Sequence, residues 1–327
     1  MVKDRVSVLV TFYNQEQYVD KALESVLSQK TDFGVKIIVG DDGSSDGTCE
    51  KVNQWISRYP GRIELHVMER GEGEQIPGFR ASRNRINILK FVDTEYFIYL
   101  DGDDYFDYEY KLQRQVEILD QSENSDCIVC GHNTNMLYSD GTRKPATDPS
   151  IKEGKITLKR YWKDIYIHTD TMLFRSSVIP KIDLVLLENN FNDNMITYSA
   201  IQNGNIYYIP ELWAVYVQTD KGIWTGEKSI ISLVRNMIFY DLSRKINPKM
   251  KYQSICRFSY LWQDLYKVRH SIKLSELQAY ADEANDKDLK NASKWLRYQE
   301  LNAFQRAALA CKAFAVRVSL PFIWRLI

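Results

Sequence analysis

Residues 6–10 form an unbroken apolar run, and after Gln15 the period changes. Tyr18, Val19, Ala22, Leu23, Val26 and Leu27 recur at the spacing of one helix face. A strand over 6–10 and a helix over 15–29 are expected. The alternation then repeats, with strands predicted at 35–39, 63–67 and 96–100 and helices ending near 57 and spanning 81–90. Asp46 stands where its carboxylate can accept the free amides at the start of the second helix. Short strands alternating with helices imply an α/β layer with mostly parallel pairing. Such sheets carry their sites beyond the carboxyl ends of their strands.

Three loops occupy such positions: 11–14, 41–48 and 101–104. The last is the most distinctive, because the apolar run Tyr96 to Leu100 passes directly into Asp101-Gly102-Asp103-Asp104. Gly102 allows a sharp turn while the flanking carboxylates converge. Closely spaced acids repel one another, and a hard divalent cation such as Mg2+ or Mn2+ relieves that repulsion. An acidic surface turn is the plain alternative. Together the loops offer an aromatic face, hydrogen-bond acceptors and metal ligands, a set suited to a nucleotide carrying a diphosphate. Neither GxGxxG nor GxxxxGK[ST] follows the first strand, which argues against a dinucleotide oxidoreductase or a P-loop ATPase.

Further along, residues 126–130 read as a buried strand in which Cys127 and Cys130 act as small apolar residues. No second cysteine pair accompanies them to build a zinc site. Residues 141–154 read as a surface excursion, and 206–209 and 212–217 as two strands around Pro210. A domain change is placed near Gly226, giving a domain over 1–225 and a mainly helical region over 226–327, where Ile230, Leu233, Met237 and Ile238 keep helical spacing. The final segment is apolar with scattered positive charge (Arg306, Lys312, Arg317, Arg325) and Trp324. It suits either a peripheral contact with an anionic membrane surface or a packed terminal helix in a homo-oligomer.

Composition narrows the class. With 327 residues, 44% of them apolar, the chain can bury a substantial core. Lys plus Arg and Asp plus Glu each total 43, so no global charge favours a nucleic-acid partner. Five cysteines argue for a reducing compartment rather than a disulfide framework. No signal-like segment opens the sequence, and no run of about 18 apolar residues is present. Cytoplasmic residence is the expectation.

The order of these motifs resembles the family 2 nucleotide-sugar glycosyltransferases of the GT-A fold, over approximately residues 6–224. Val6-Ser7-Val8-Leu9-Val10-Thr11-Phe12-Tyr13-Asn14 is similar to the family's opening strand and nucleotide-binding turn. Gly40-Asp41-Asp42-Gly43-Ser44-Ser45-Asp46-Gly47-Thr48 is similar to its second signature, Arg83-Asn84 to the pair preceding its metal-binding strand, and Asp101-Gly102-Asp103-Asp104 to its metal motif. The resemblance implies an inverting, metal-dependent transfer of a hexosyl or N-acetylhexosaminyl group from a nucleotide diphosphate, with UDP as the expected carrier. The expected acceptor is a glycan or lipid-linked molecule in bacterial surface polysaccharide synthesis. It implies donor contacts from Thr11, Phe12, Tyr13, Asp41, Asp42, Arg83, Asp101 and Gly102, with Asp103 as ligand of Mn2+ or Mg2+. Asp193 would be the general base, with Glu188 a less favoured substitute. His168, Asp170 and Trp224 would meet the acceptor.

Two departures from the family pattern bear on the site. Thr11-Phe12 stands where many relatives have Pro-Thr. Near Tyr216-Val217-Gln218-Thr219 the chain lacks the Arg and the His that many relatives carry, leaving Gln218, Thr219 or Lys221 to take their place. A nucleotidylyltransferase or retaining transferase with a similar metal-centred site is one rival reading. A noncatalytic glycan-binding or scaffolding protein is the other.

Overall fold

The computed structural model describes residues 2–70, 77–158, 160–161, 165–182, 184, 194–219 and 229–248, with isolated positions beyond. The chain divides into two compact units, residues 1–73 with 78–222, and residues 74–77 with 223–327. The expected boundary at Gly226 lies outside the described residues, as do Asp193, Glu188, Lys221, Trp224 and the basic positions of the terminal segment.

In chain order the strands are β1 (Asp4–Phe12), β2 (Gly34–Asp41), β3 (Ile63–Val67), β4 (Tyr96–Asp101), β5 (Tyr105–Phe106), β6 (Cys127–Leu137), β7 (Arg143–Pro145), β8 (Gly154–Ile156), β9 (Leu173–Arg175) and β10 (Asn205–Val217). The helices are α1 (Glu16–Leu27), α2 (Thr48–Arg58), α3 (Pro77–Leu89), α4 (Lys111–Asp120), α5 (Asn194–Ile201) and α6 (Ser229–Ile246). One 10-stranded sheet runs in the order β3-β2-β1-β4-β9-β6-β10-β5, with β7 paired to β6 and β8 to β10. Strands β3, β2, β1 and β4 are parallel, as the alternation predicts. Beyond them the sheet is mixed. The short strand β9 runs antiparallel between β4 and β6, while β6 and β10 are again parallel.

The central strands are covered on both faces, which explains why they read as continuous apolar runs rather than alternating ones. Val6, Val8, Leu9 and Val10 of β1 are all fully buried, as are Phe97, Ile98, Tyr99 and Leu100 of β4. Ser7, the polar interruption in β1, is satisfied by Thr94 at 2.8 Å. The two strands expected around Pro210 are one, β10, whose register slips between Ile209 and Leu212. A proline cannot donate to the ladder, and an irregularity of this kind accommodates it. Cys127 and Cys130 lie buried in β6.

Helix α4 is absent from the predicted elements. Its apolar stripe, Leu112, Val116 and Leu119, is interrupted on the buried side by Lys111 and Gln115. These two bond to each other at 2.9 Å, and Lys111 Nζ lies 4.0 Å from the centre of the Phe106 ring. Gln115 also donates to the carbonyls of Cys130 (2.6 Å) and Thr171 (2.9 Å). A polar interior thus ties α4 to β6 and to the 3-10 turn Thr169–Thr171. In the second unit a helix, α6, forms where one is expected, but its buried face carries Val234 and Met237, while Leu233 and Ile238 of the expected stripe are half-buried. No described helix is long and apolar enough to cross a membrane.

Candidate active site

Strand register brings the three predicted loops to one level. Thr11 of β1 stands opposite Gly40 of β2 on one side and Asp101 of β4 on the other. The chain therefore leaves all three strands at the same edge of the sheet, where open α/β sheets form their crevices.

The first two loops are bonded into one unit. Asn14 adopts a left-handed backbone (φ 49°), and its side chain accepts from the Ser45 amide at 2.8 Å. Its own amide donates to Ser44 Oγ at 2.9 Å. Asp41, fully buried, receives both the amide (2.8 Å) and the hydroxyl (2.5 Å) of Ser44. Asp46 accepts from the Thr48 amide at 3.0 Å and from the first amide of α1, that of Glu16, at 3.1 Å. One carboxylate thereby serves the starts of two helices, acting on α2 from just before the cap position.

Asp42 is also buried, and Arg80 of α3 grips both of its oxygens, Nε at 3.2 Å and Nη2 closer, with Arg70 at 3.7 Å. Burial pushes the Asp42 carboxyl above its usual range, and Arg80 pulls against that shift. Arg70 also lies over the Tyr13 ring at 3.9 Å, and Tyr13 itself is 43% exposed at the rim. Phe12 points the other way: its ring is buried in the core, and its carbonyl receives the Asp42 amide at 3.0 Å.

The acidic loop is held from both sides. Asp101 accepts from Thr11 Oγ1 at 3.1 Å and from Arg85 of α3. The Gly102 amide donates to the Thr11 carbonyl at 2.9 Å. Gly102 is not in the left-handed region; what its position requires is the absence of a side chain, because a Cβ there would stand 2.2 Å from the Phe12 ring. Asp103 is half-buried near the Gln15 side chain, and burial, reinforced by Asp101, pushes its carboxyl up to about 7.

Its neighbour Asp104 turns inward. It is 2% exposed, and its Oδ1 accepts the Val217 amide at the end of β10 at 2.8 Å. Beside it lie Asp170, also 2% exposed, which accepts the Asp101 amide at 3.0 Å, and His168, whose Nδ1 is 4.0 Å from Asp170 Oδ2. Ligand atoms of Asp104, His168 and Asp170 lie within 4.8 Å of one another. The His168 ring packs against Tyr216 at a tilt of 32°, with centroids 4.2 Å apart. Asp170 and His168, expected at an acceptor, are thus brought beneath the acidic loop.

On α3 the structure turns two arginines other than the expected one toward the acids. Arg83 is half-buried, whereas Arg80 and Arg85, each about 7% exposed, reach Asp42 and Asp101. Asn84 donates to the Gly40 carbonyl at 2.9 Å and fixes the helix against β2. The signal was in the spacing: Ile88 marks the face toward the sheet, and Asn84 and Arg85 precede it by one turn.

Residues 7–183 match the family model described as glycosyl transferase family 2. Among curated proteins, the chain is 27% identical over 219 residues to an uncharacterized protein of Mycobacterium tuberculosis, covering 67% of this chain and 60% of that protein. It is 25% identical over 250 residues to the poly(ribitol-phosphate) beta-N-acetylglucosaminyltransferase TarS of Staphylococcus aureus, covering 74% of this chain but 40% of TarS. The chain thus spans less than two thirds of these relatives. Among solved structures, TarS residues 1–349 in complex with UDP-GlcNAc superpose with a TM-score of 0.55 at 18% identity, over 90% of this chain and 92% of that one. A mannosyltransferase of Pyrobaculum calidifontis in complex with GDP-Man and Mn2+ gives 0.52 at 14% identity, over 97% and 87%. At these identities what is shared is the fold, GT-A.

Proposed function

The chain belongs to glycosyl transferase family 2, and from that membership we propose an inverting, metal-dependent transferase that moves a sugar from a UDP-sugar to a glycan or lipid-linked acceptor of a bacterial surface polymer. The observation that supports this most is the convergence of the loops after β1, β2 and β4 on one edge, with Tyr13, Asp42, Asp101 and Asp103 around it. Tyr13 offers an exposed ring for the base. Asp42, oriented by Arg80 and Arg70, is the acceptor for base or ribose donors, and Asp41 keeps its loop in shape through Ser44.

The residues present fit a divalent cation at Asp103. Its carboxyl is half-buried, is crowded by Asp101, and lacks an ion pair among the described residues, a state that a bound cation relieves. When bound, such an ion offsets the charge growing on the leaving diphosphate. Arg85 restrains Asp101 beside it, so the loop keeps its shape without spending Asp103 on a salt bridge. The role of general base remains with Asp193, on sequence grounds.

The test is a screen of purified protein against UDP-, GDP- and dTDP-sugars with Mn2+ and with chelator, reading release of nucleoside diphosphate and the anomeric configuration of the product. Mn2+-dependent release of UDP with inverted linkage is expected. Retention of configuration, or pyrophosphate release from a nucleoside triphosphate, overturns the reading.

A further inference from the structure

Beneath the acidic loop the two carboxylates of Asp104 and Asp170 each spend one oxygen on a backbone amide, those of Val217 and Asp101. Their remaining oxygens, Asp104 Oδ2 and Asp170 Oδ1, are buried and accept no hydrogen bond from an N–H or hydroxyl donor among the described residues. Both residues are 2% exposed, so water does not compensate them from bulk. Buried carboxylate oxygens left without a donor are costly, and two of them side by side more so. The buried ammonium of α4 does not help. Lys111 gives its ammonium to Gln115 and to the face of Phe106, and forms no ion pair with either acid among the described residues.

His168 completes the cluster. Its ring is held by Tyr216, and a nitrogen of it lies with the two carboxylates inside a 4.8 Å span. Ligands on opposite sides of an ion bonded at about 2.0–2.2 Å stand about 4.0–4.4 Å apart, so the group closes on an ion with movements of a few tenths of an ångström. Two carboxylates with one imidazole favour Mn2+, Fe2+ or Zn2+ over Ca2+, which takes oxygen ligands only.

We propose that Asp104, His168 and Asp170 bind a second divalent cation, buried under the acidic loop and separate from the ion assigned to Asp103. Neighbouring side chains leave the chain in different directions here: Asp103 is half-buried while Asp104 is covered. The buried ion joins three elements distant in sequence: the loop after β4, the 3-10 turn Thr169–Thr171 and, through the Val217 amide on Asp104, the end of β10. Its role is to fix the floor on which Asp101 and Asp103 sit.

The experiment uses full-length protein stripped with chelator and titrated with Mn2+ alone, without nucleotide, so that it is independent of any transferase activity. Bound ion is counted by loss of the free-Mn2+ EPR signal, and its ligands are read by pulsed EPR, in which a coordinated imidazole gives nitrogen modulation. The expected result is a nitrogen-coupled ion in wild type that persists in Asp103→Asn, with the modulation lost and that ion bound at least tenfold more weakly in His168→Asn and Asp170→Asn. If these variants do not fold, wild-type protein that binds no Mn2+, or binds it without nitrogen coupling, still overturns the proposal. Bound Mn2+ without nitrogen coupling, no bound Mn2+ at all, or unchanged nitrogen modulation in His168→Asn overturns the proposal. In those cases the two carboxyls share a proton, or the imidazole comes from elsewhere.

Discussion

Substituting Gly102 by alanine tests whether the acidic loop owes its position to a missing side chain. A Cβ at 102 would lie 2.2 Å from Phe12 Cδ1, 2.5 Å from Phe12 Cε1 and 2.6 Å from Gln15 Oε1. Ordinary carbon contacts begin at about 3.5 Å, so the loop or the ring must retreat by about 1 Å. Phe12 is 2% exposed within the core and cannot swing into solvent. Overpacking of this kind costs about 1–3 kcal/mol, which at a urea slope of about 2 kcal/mol/M lowers the midpoint by about 0.5–1.5 M. Backbone strain does not contribute, because Gly102 has no positive φ. Phe12→Val removes both clashing ring atoms and on its own costs about 2–4 kcal/mol. In that background the flexible end of Gln15 can swing aside, and Gly102→Ala becomes neutral or stabilises by up to about 1 kcal/mol by restricting the unfolded chain. The assay is a double-mutant cycle in urea followed by circular dichroism, with a coupling energy of about 1–3 kcal/mol expected. If Gly102→Ala costs the same with and without Phe12, the steric account of this glycine is wrong.

Three further outcomes follow from the ion pairs and from the proposed chemistry. Arg80→Met leaves Asp42 buried with only the more distant Arg70 beside it, so a loss of about 3 kcal/mol is expected, and Arg80→Met with Asp42→Leu should recover much of it, both read from urea midpoints. Lys3 and Arg5 hold the Glu95 carboxyl low, and Arg5 with the Tyr96 hydroxyl does the same for Asp120. Depressed carboxylates stabilise above their ordinary range and lose that contribution as pH falls through the folded values. Stability should therefore drop below about pH 4.5. Arg5→Gln flattens that drop by about 1 kcal/mol or less, the groups being partly exposed; an unchanged acid profile counts against the pair. Asp193→Asn should lower turnover by about 10²–10⁴ with donor binding intact, measured by UDP release and by calorimetry; near-normal turnover removes it as base.

How far the sequence reveals the site depends on which interactions are local. β1, β2 and β4, and the loops that leave them, are legible because unbroken apolar runs end in short polar motifs, and register then aligns Thr11, Gly40 and Asp101. The difference between Asp103 and Asp104 is not legible. What pulls Asp104 inward is pairing of Tyr105 and Phe106 with Val215 and Ala214 of β10, and the Val217 amide beyond, more than a hundred residues away. The same holds for His168 and Asp170, whose 3-10 turn is clamped by Gln115 of a helix with a polar interior. Arg80 and Arg85 fall between these cases: the helix predicted over 81–90 takes in Arg85 but stops short of Arg80, and the face they occupy is set by how Asn84 docks on Gly40.

Charge around the edge of the sheet gives a last test that needs neither turnover nor acceptor. Among the described residues Asp41, Asp42, Asp101 and Asp103 gather there, against the guanidiniums of Arg70, Arg80 and Arg85. Arg80 and Arg85 are already committed to Asp42 and Asp101, so they cannot also neutralise a diphosphate without releasing an acid into a buried setting. A nucleotide diphosphate arriving alone would add negative charge to a surplus of carboxylates. At an effective dielectric of about 20, a pair of like unit charges about 5 Å apart costs about 3 kcal/mol. One divalent cation at Asp103 reverses the sign of that contact. UDP should therefore bind at least about 100-fold more tightly with Mn2+ than with chelator, the ratio that about 3 kcal/mol implies. Calorimetric titration of UDP under the two conditions reads it directly. Equal affinities would mean that α3 exchanges its arginines from acid to phosphate, and that the acidic loop has no need of a metal to receive its ligand.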